Sequence, residues 1–301
     1  MHEQFARVGD LTLCYETFGD RRDPALLLVM GLATQMIAWP DDFCGELAGR
    51  GFFVIRYDNR DIGRSSRLDG HPPPRPVELI TRRIKRPAYT LDDMADDAAG
   101  LLDALDVDRA HVVGASMGGM IAQVLAARHP GRVLSLASIM STTGNRWKGQ
   151  PAPKVMRFML SKPPRTKEAS VQRTLTVFGV IGSPGFDRDE AELRRMAELA
   201  WDRGPTAAGS GRQLGAVLAS GDRTADVRRI TAPTVAIHGS RDVLVRPSGG
   251  RATARAIRGA RLVIIDGMGH DLPRGAWPQI IDAITANAAR AGWSGAARDA
   301  A

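Results

Sequence analysis

One serine of the sequence lies in a pattern that suits a nucleophile. Ser116 is the centre of GASMG, residues 114–118, and lies between the apolar run at 110–115 and a helical pattern that begins at Met117. In such a strand–turn–helix the serine stands at the apex in a strained conformation, and the residues two before and two after must be small for the backbones to pass. Gly114 and Gly118 provide that room. The context therefore predicts a nucleophile rather than a small residue in a tight turn.

A serine hydroxyl needs a base to remove its proton, and histidine is the usual base. Among the six histidines, His270 is the best candidate because it lies just after the last predicted strand, on a loop with Gly267 and Gly269. Of the others, His2 is terminal and His71 lies in a proline run. His111 is inside a predicted strand, His129 ends a helix and His238 ends an apolar run. The last of these is predicted to pack beside a glycine.

An acid that orients His270 is expected between the serine and the histidine, at the carboxyl end of a strand. Asp242, in IHGSRDVLVRP, meets this condition. The other usual place, after the apolar run at 133–140, offers no carboxylate in MSTTGN. Asp266 and Asp271 are predicted to be a strand-end residue and a solvated neighbour. The predicted catalytic residues are Ser116, Asp242 and His270.

Acyl transfer also needs backbone N–H groups that stabilise the oxyanion of the tetrahedral intermediate. The amide of Met117 is one candidate, because it begins a helix where free N–H groups and the helix dipole coincide. The amide of Leu32 is the second, because Gly31 allows a turn directly after the apolar run ALLLVM.

The elements that must position these residues alternate between two patterns. Short apolar runs predict strands at 11–18, 25–30, 52–57, 110–115, 133–140, 233–239 and 260–266, and helical patterns lie at 41–50, 91–106, 117–129, 247–258 and 276–291. Continuously apolar strands that alternate with helices indicate an α/β domain with a mostly parallel sheet. Gly9 and Asp10 separate the strand at 11–18 from a strand that precedes it, which predicts an antiparallel hairpin of the first two strands at the sheet edge.

The alternation breaks at two insertions. Residues 66–89 are rich in proline and basic residues, and residues 144–229 combine helix and loop between two strands. Long excursions at the carboxyl edge of a sheet commonly shape a binding site. The sequence therefore predicts a core of residues 1–143 and 230–301, with a cap or lid of residues 144–229.

Composition excludes several other classes of protein. No run of 18 apolar uncharged residues is present, which argues against a membrane-spanning helix. The N-terminal segment lacks a signal-peptide pattern, so a cytoplasmic location is expected. The net charge is +8, but no nucleic-acid-binding motif accompanies it, so no nucleic-acid partner is expected. Cys14 and Cys44 have no metal-site spacing, and neither a metal nor a disulfide is predicted.

Five motifs in order, VMGLATQ, RYDNRDIGRS, GASMGG, HGSRD and GMGH, resemble those of the α/β-hydrolases over almost the whole chain. The resemblance implies a mostly parallel eight-stranded sheet flanked by helices, with a helical cap between strands 6 and 7. Met30 replaces the histidine usual before the oxyanion glycine, and Asp61 replaces a glycine. Both departures are similar to the aclacinomycin methyl esterase branch, cofactor-free enzymes that cleave a methyl ester on a polyketide. Asp58 and Arg60 are expected to tie loops together.

These residues predict a serine carboxylic-ester hydrolase, an esterase or lipase, that forms an acyl-enzyme on a small-molecule ester without a cofactor. Thioesterase, lactonase and cofactor-free perhydrolase activities use the same triad and stay open. A non-catalytic ligand-binding module on a hydrolase fold is the alternative from another class.

The predicted cap is basic, because residues 146–173 contain eight basic side chains and one acid, Glu168. Charge of one sign favours an anionic or lipidic substrate, or weak association with an anionic membrane surface. The segment 155–160, VMRFML, with Trp147 nearby, would add an apolar interfacial face. The alternative is a basicity that follows only from overall composition and from packing of the cap helices. The sequence does not determine the oligomeric state.

Overall fold

A single sheet forms the central layer of the protein. A computed structural model describes residues 3–155 and 163–293. The strands are β1 Gln4–Val8, β2 Leu11–Phe18, β3 Ala25–Val29, β4 Phe53–Tyr57, β5 Ala110–Ala115, β6 Val133–Ile139, β7 Thr234–Gly239 and β8 Arg261–Ile265. Their spatial order is β1-β2-β4-β3-β5-β6-β7-β8. Strand β2 is antiparallel to β1 and β4, and the other neighbouring pairs are parallel.

Both sheet predictions are confirmed. The eight strands form a mostly parallel sheet, and the first two form the expected hairpin at its edge. Gly9, in the turn of that hairpin, has φ 57°, a left-handed conformation that glycine adopts at no steric cost.

Helices cover both faces of the sheet. The α-helices in the described residues are α1 Asp41–Gly49, α2 Pro76–Thr81, α3 Leu91–Ala104, α4 Met117–Arg128, α5 Lys167–Ile181, α6 Glu190–Asp202, α7 Ala207–Ser220, α8 Thr224–Val227, α9 Ser248–Ala256 and α10 Trp277–Ala289. Within β3, Leu27 faces a core cluster shared with α3 and α4, and Leu28 faces a cluster shared with α1 and α10. Alternate residues are thus buried on opposite faces, which explains why the central strands are continuously apolar.

Helices α5 to α8 lie between β6 and β7, inside the segment predicted as a cap. Two arginines of this segment form buried ion pairs with the loop after β4. Arg203 pairs with Asp58, and Arg212 Nη2 lies 2.6 Å from Asp61 Oδ1. The insertion at 66–89 contains one short helix, α2. No helix within the described ranges combines the length and apolarity needed to cross a bilayer.

Candidate active site

Ser116 lies at the abrupt turn between β5 and α4. Its backbone has φ 56° and ψ −119°, a conformation that a residue with a side chain rarely adopts. Such strain persists only where neighbouring contacts enforce it. Here the Ser116 N–H donates to the carbonyl of Ile139 at 2.8 Å, and Ser141 Oγ donates to the Ser116 carbonyl at 2.8 Å. The serine is held at the apex that the sequence predicts.

The two predicted elbow glycines have no room for a side chain. A Cβ on Gly114 would lie 2.2 Å from the carbonyl oxygen of Gly118. A Cβ on Gly118 would lie 2.0 Å from the carbonyl oxygen of Val29, at the end of β3. Real Cβ atoms do not approach backbone oxygens this closely, so the small residues at both positions are a steric requirement of the turn.

Three side chains predicted from distant parts of the sequence meet at this apex. His270 Nε2 lies 3.0 Å from Ser116 Oγ, and His270 Nδ1 lies 2.7 Å from Asp242 Oδ2. Ser116 is half-buried, and the other two side chains are buried. The result is one continuous hydrogen-bonded chain from hydroxyl to imidazole to carboxylate.

The loop that carries His270 is fixed against the inserted segment. The His270 N–H donates to the carbonyl of Ile181, the last residue of α5, at 2.7 Å. The Gly269 N–H donates to Ser183 Oγ at 2.7 Å. A Cβ on Gly269 would lie 2.3 Å from the carbonyl oxygen of Gly182, so the two backbones touch. The backbone of the loop that carries the imidazole is therefore held by the insertion.

Asp242 lies in the turn after β7 and is ionised. Its Oδ1 accepts the N–H groups of Leu244 and Val245, each at 2.9 Å, and its Oδ2 faces the imidazole of His270. Burial alone would raise the pKa of Asp242, but the charge of His270 and hydrogen bonds with His238 and His270 lower it to about 2. An anionic carboxylate thus orients the ring.

A second histidine contacts the same carboxylate. His238 Nε2 lies 2.7 Å from the carbonyl oxygen of Val245 and 3.4 Å from Asp242 Oδ2. Both neighbours are acceptors, so the ring carries its proton on Nε2. His238 is buried, as its predicted packing at the end of the apolar run requires, and a Cβ on Gly250 of α9 would lie 2.5 Å from its Nδ1. The contact with Asp242 was missed, and its only sequence signal is the four-residue spacing.

The two predicted oxyanion donors lie on segments that meet at the serine. Met117 begins α4, where the N–H groups have no intrahelical acceptor. Gly31 lies after β3 and packs against the elbow, because a Cβ on Gly31 would lie 3.1 Å from the Cβ of Ser116. Leu32 follows directly, so both amides belong to backbone beside the hydroxyl.

The loop after β4 makes structural contacts. Asp58 accepts the N–H groups of Met36 at 2.7 Å and Arg64 at 3.0 Å, and Arg60 Nε lies 2.6 Å from Asp97 Oδ2. These contacts agree with the prediction that Asp58 and Arg60 tie loops together.

The remaining candidate residues are engaged elsewhere. Burial lowers the pKa of His111 to about 4, and its Nδ1 lies 2.8 Å from Ser135 Oγ. Burial also raises the pKa of each cysteine thiol to about 12. Asp271 is not the solvated residue that was predicted: it accepts a hydrogen bond from Ser183 Oγ, and burial raises its pKa. No cluster of potential metal ligands occurs in the described part of the chain.

Comparison with known proteins identifies the family of this chain. The family model for the alpha/beta hydrolase fold matches residues 24–273. The chain is 33% identical over 299 residues to rhodomycin D methylesterase DnrP of Streptomyces peucetius, covering 92% of this chain and 95% of that protein. It is 26% identical over 259 residues to 3-oxoadipate enol-lactonase 2 of Acinetobacter baylyi, covering 85% and 86%.

Among solved structures, a hydrolase from Pseudomonas aeruginosa PA01 superposes with a TM-score of 0.70 at 26% identity, covering 95% of this chain and 98% of that one. The methylesterase relative confirms the predicted likeness to the methyl esterase branch. By its family match and by its relatives, this chain belongs to the alpha/beta hydrolase fold family.

Proposed function

We propose that this chain is a serine carboxylic-ester hydrolase in which Ser116, His270 and Asp242 form the catalytic triad. The observation that carries the proposal is the unbroken chain of hydrogen bonds, 3.0 Å from Ser116 Oγ to His270 Nε2 and 2.7 Å from His270 Nδ1 to Asp242 Oδ2. The family and its methylesterase relatives independently support ester hydrolysis.

Acylation follows from the protonation states that the contacts favour. Nδ1 of His270 faces an anionic carboxylate and keeps its proton, so Nε2 is free to accept the proton of Ser116 Oγ. The oxygen attacks the ester carbonyl, and the amides of Leu32 and Met117 donate to the oxyanion. Nε2 then protonates the leaving alcohol, and the ester bond breaks.

Deacylation repeats the sequence with water. His270 Nε2 removes a proton from the water as its oxygen attacks the acyl carbonyl. The bond from the acyl carbon to Ser116 Oγ then breaks, Nε2 returns the proton to Oγ, and the carboxylic acid leaves. The proposed mechanism uses no metal or cofactor at any step.

A methyl ester on a small molecule is the first substrate class to test. Two relatives are named rhodomycin D methylesterases, and each covers nearly all of this chain. A lactone stays the second candidate because another relative is named an enol-lactonase. Thioester hydrolysis and perhydrolysis stay predictions on the same triad.

We further propose that residues 144–229 act as a cap over the site. Contacts of α5 with the His270 loop, and of Arg203, just after α6, and Arg212 of α7 with the loop after β4, support this role. The substrate would then enter between this segment and the elbow.

The anionic or lipidic substrate and the membrane-surface association remain predictions. Trp147 is 74% exposed, and the guanidinium of Arg146 stacks 4.7 Å from its ring centroid. Residues 156–160 of the VMRFML segment lie outside the described residues. Cosedimentation with vesicles of pure phosphatidylcholine and with vesicles containing phosphatidylglycerol would test the association, which should require the anionic lipid and weaken with salt.

The central test is labelling by a fluorophosphonate, followed by hydrolysis of p-nitrophenyl esters and of bulky methyl esters. We expect the protein to react, and Ser116→Ala to abolish both labelling and hydrolysis. Ser135→Ala, which removes a buried serine on β6 bonded to His111, serves as the matched control and should still label. A protein that does not label would instead be a ligand-binding module.

A further inference from the structure

Gln213 belongs to the inserted segment, and its buried side chain contacts the core domain. It lies on α7 and is fully buried. Its Oε1 accepts the N–H of Ala33 at 2.9 Å, and its Nε2 donates to the carbonyl of Arg60 at 3.0 Å. Both ends of the amide are therefore used, and the first contact joins residues 180 positions apart in the sequence.

The backbone that Gln213 holds is the turn proposed to bind the oxyanion. Ala33 has φ 59°, a left-handed conformation that costs energy for a residue with a side chain. It directly follows Leu32, and the turn is closed by the Thr34 N–H, which donates to the Gly31 carbonyl at 3.3 Å. A strained turn needs outside contacts to persist.

The peptide group that contains the Leu32 N–H lies between two peptide groups that are hydrogen-bonded to side-chain amides. On one side, Asn59 Nδ2 donates to the carbonyl of Met30 at 2.9 Å. On the other, Gln213 accepts from the N–H of Ala33. The N–H of Leu32 lies in the peptide between them, so its direction depends on both contacts.

We propose that Gln213 is a positioning residue that aims the Leu32 amide at the oxyanion, so that the inserted segment completes the site. This inference rests on the proposed function. Hydrogen-bond donors act on a transition state only when they are already aligned with the position the oxyanion will occupy. Loss of the Gln213 contact should therefore reduce transition-state stabilisation more than substrate binding.

The test compares two buried glutamines changed in the same way. Gln213→Met removes both hydrogen bonds at similar volume. Gln123→Met is the matched control, because Gln123 is also fully buried and donates to Ser138 Oγ at 2.9 Å from α4. We expect Gln213→Met to lower kcat about 10- to 100-fold with KM within about threefold, whereas the control keeps kcat near that of the wild type.

A second variant and a second readout separate positioning from folding. Gln213→Glu keeps an acceptor for the Ala33 N–H but loses the donor to the Arg60 carbonyl. Because the Ala33 contact is the one proposed to position the turn, this variant should retain more kcat than Gln213→Met. A boronic acid bound to the serine mimics the tetrahedral intermediate. Its affinity should follow kcat across the variants, falling most in Gln213→Met and staying near the wild-type value in Gln123→Met.

Equal kcat losses in Gln213→Met and Gln123→Met, or a rise in KM alone, would overturn the inference. If Gln213→Met does not fold, Gln213→Ala decides, because it also removes the acceptor for the Ala33 N–H. Boronate affinity and kcat equal to those of Gln123→Met would then overturn the inference. Failure of the proposed function is a separate result, because the wild type would then neither label nor hydrolyse esters, or Ser116→Ala would retain hydrolysis.

Discussion

Replacing Asp242 by asparagine tests how the triad is oriented. The oxygen of asparagine can keep the Oδ1 position, which accepts two backbone N–H groups at 2.9 Å. Its NH₂ group then faces His270 Nδ1 and the Nε2–H of His238. His270 must present a lone pair to this new donor, which moves its own proton to Nε2. In that tautomer the ring cannot accept the proton of Ser116.

Rotating the asparagine does not relieve the mismatch. With the oxygen toward the two histidines, its NH₂ would face the N–H groups of Leu244 and Val245, and these buried donors would lose their acceptor. In either orientation the asparagine NH₂ group therefore faces another N–H donor, that of His238 or those of the backbone. An imidazole held in the wrong tautomer costs about 10⁴-fold in kcat, which corresponds to about 5.5 kcal/mol in the activation barrier.

The assay is kcat for p-nitrophenyl acetate at pH 8, with Asp242→Asn compared to the wild type. Asp266→Asn is the matched control, because Asp266 is exposed at the end of β8 and accepts a hydrogen bond from Ser240 Oγ. The control should keep kcat within about threefold of the wild type. Retention of more than a tenth of the wild-type kcat by Asp242→Asn would refute the orienting role of this carboxylate.

Three further outcomes are expected. Gly118→Ala should lower the free energy of unfolding by about 3 kcal/mol, seen in urea denaturation, because its Cβ would meet the Val29 carbonyl. Arg212→Met should cost about 3–5 kcal/mol in the same assay by leaving Asp61 buried and unpaired. The folded-state pKa of Asp242 is depressed from 3.8 to about 2. Its contribution of about 2 kcal/mol to the free energy of unfolding is therefore present above pH 4 and lost as pH falls toward 2. The wild type should lose more stability than Asp242→Asn between pH 5 and 3, and equal losses would contradict this.

The elbow could be predicted from sequence because its requirements are local. A strand that turns at once into a helix needs small residues at Gly114 and Gly118 whatever surrounds it, and the structure shows backbone oxygens where side chains would be. The placement of His270 and Asp242 was predictable for a related reason. Parallel strands end at one edge of the sheet, so residues that follow different strands converge there.

Contacts from the inserted segment could not be predicted in this way. Gln213 lies in a helix with no motif, and its partner Ala33 is 180 residues away. Nothing local to either residue indicates which face of α7 meets the core. The contact of His238 with Asp242 escaped prediction for another reason: a histidine at the end of an apolar run suggests packing, and the structure shows that it packs and also contacts the carboxylate.

The departure at Asp61 shows how the core and the insertion depend on each other. Residue 61 has φ 71°, which explains why glycine suits this position, and aspartate is among the few other residues that tolerate a left-handed backbone. Its buried carboxylate needs a cation, and Arg212 provides one with Nε 2.8 Å from Asp61 Oδ2. Burial would raise the pKa of Asp61, but hydrogen bonds from Arg212 and other donors lower it, so the pair is ionic. Arg212 precedes Gln213 on α7, so the ion pair that accommodates the unusual aspartate also brings the amide of Gln213 to the turn beside Ser116.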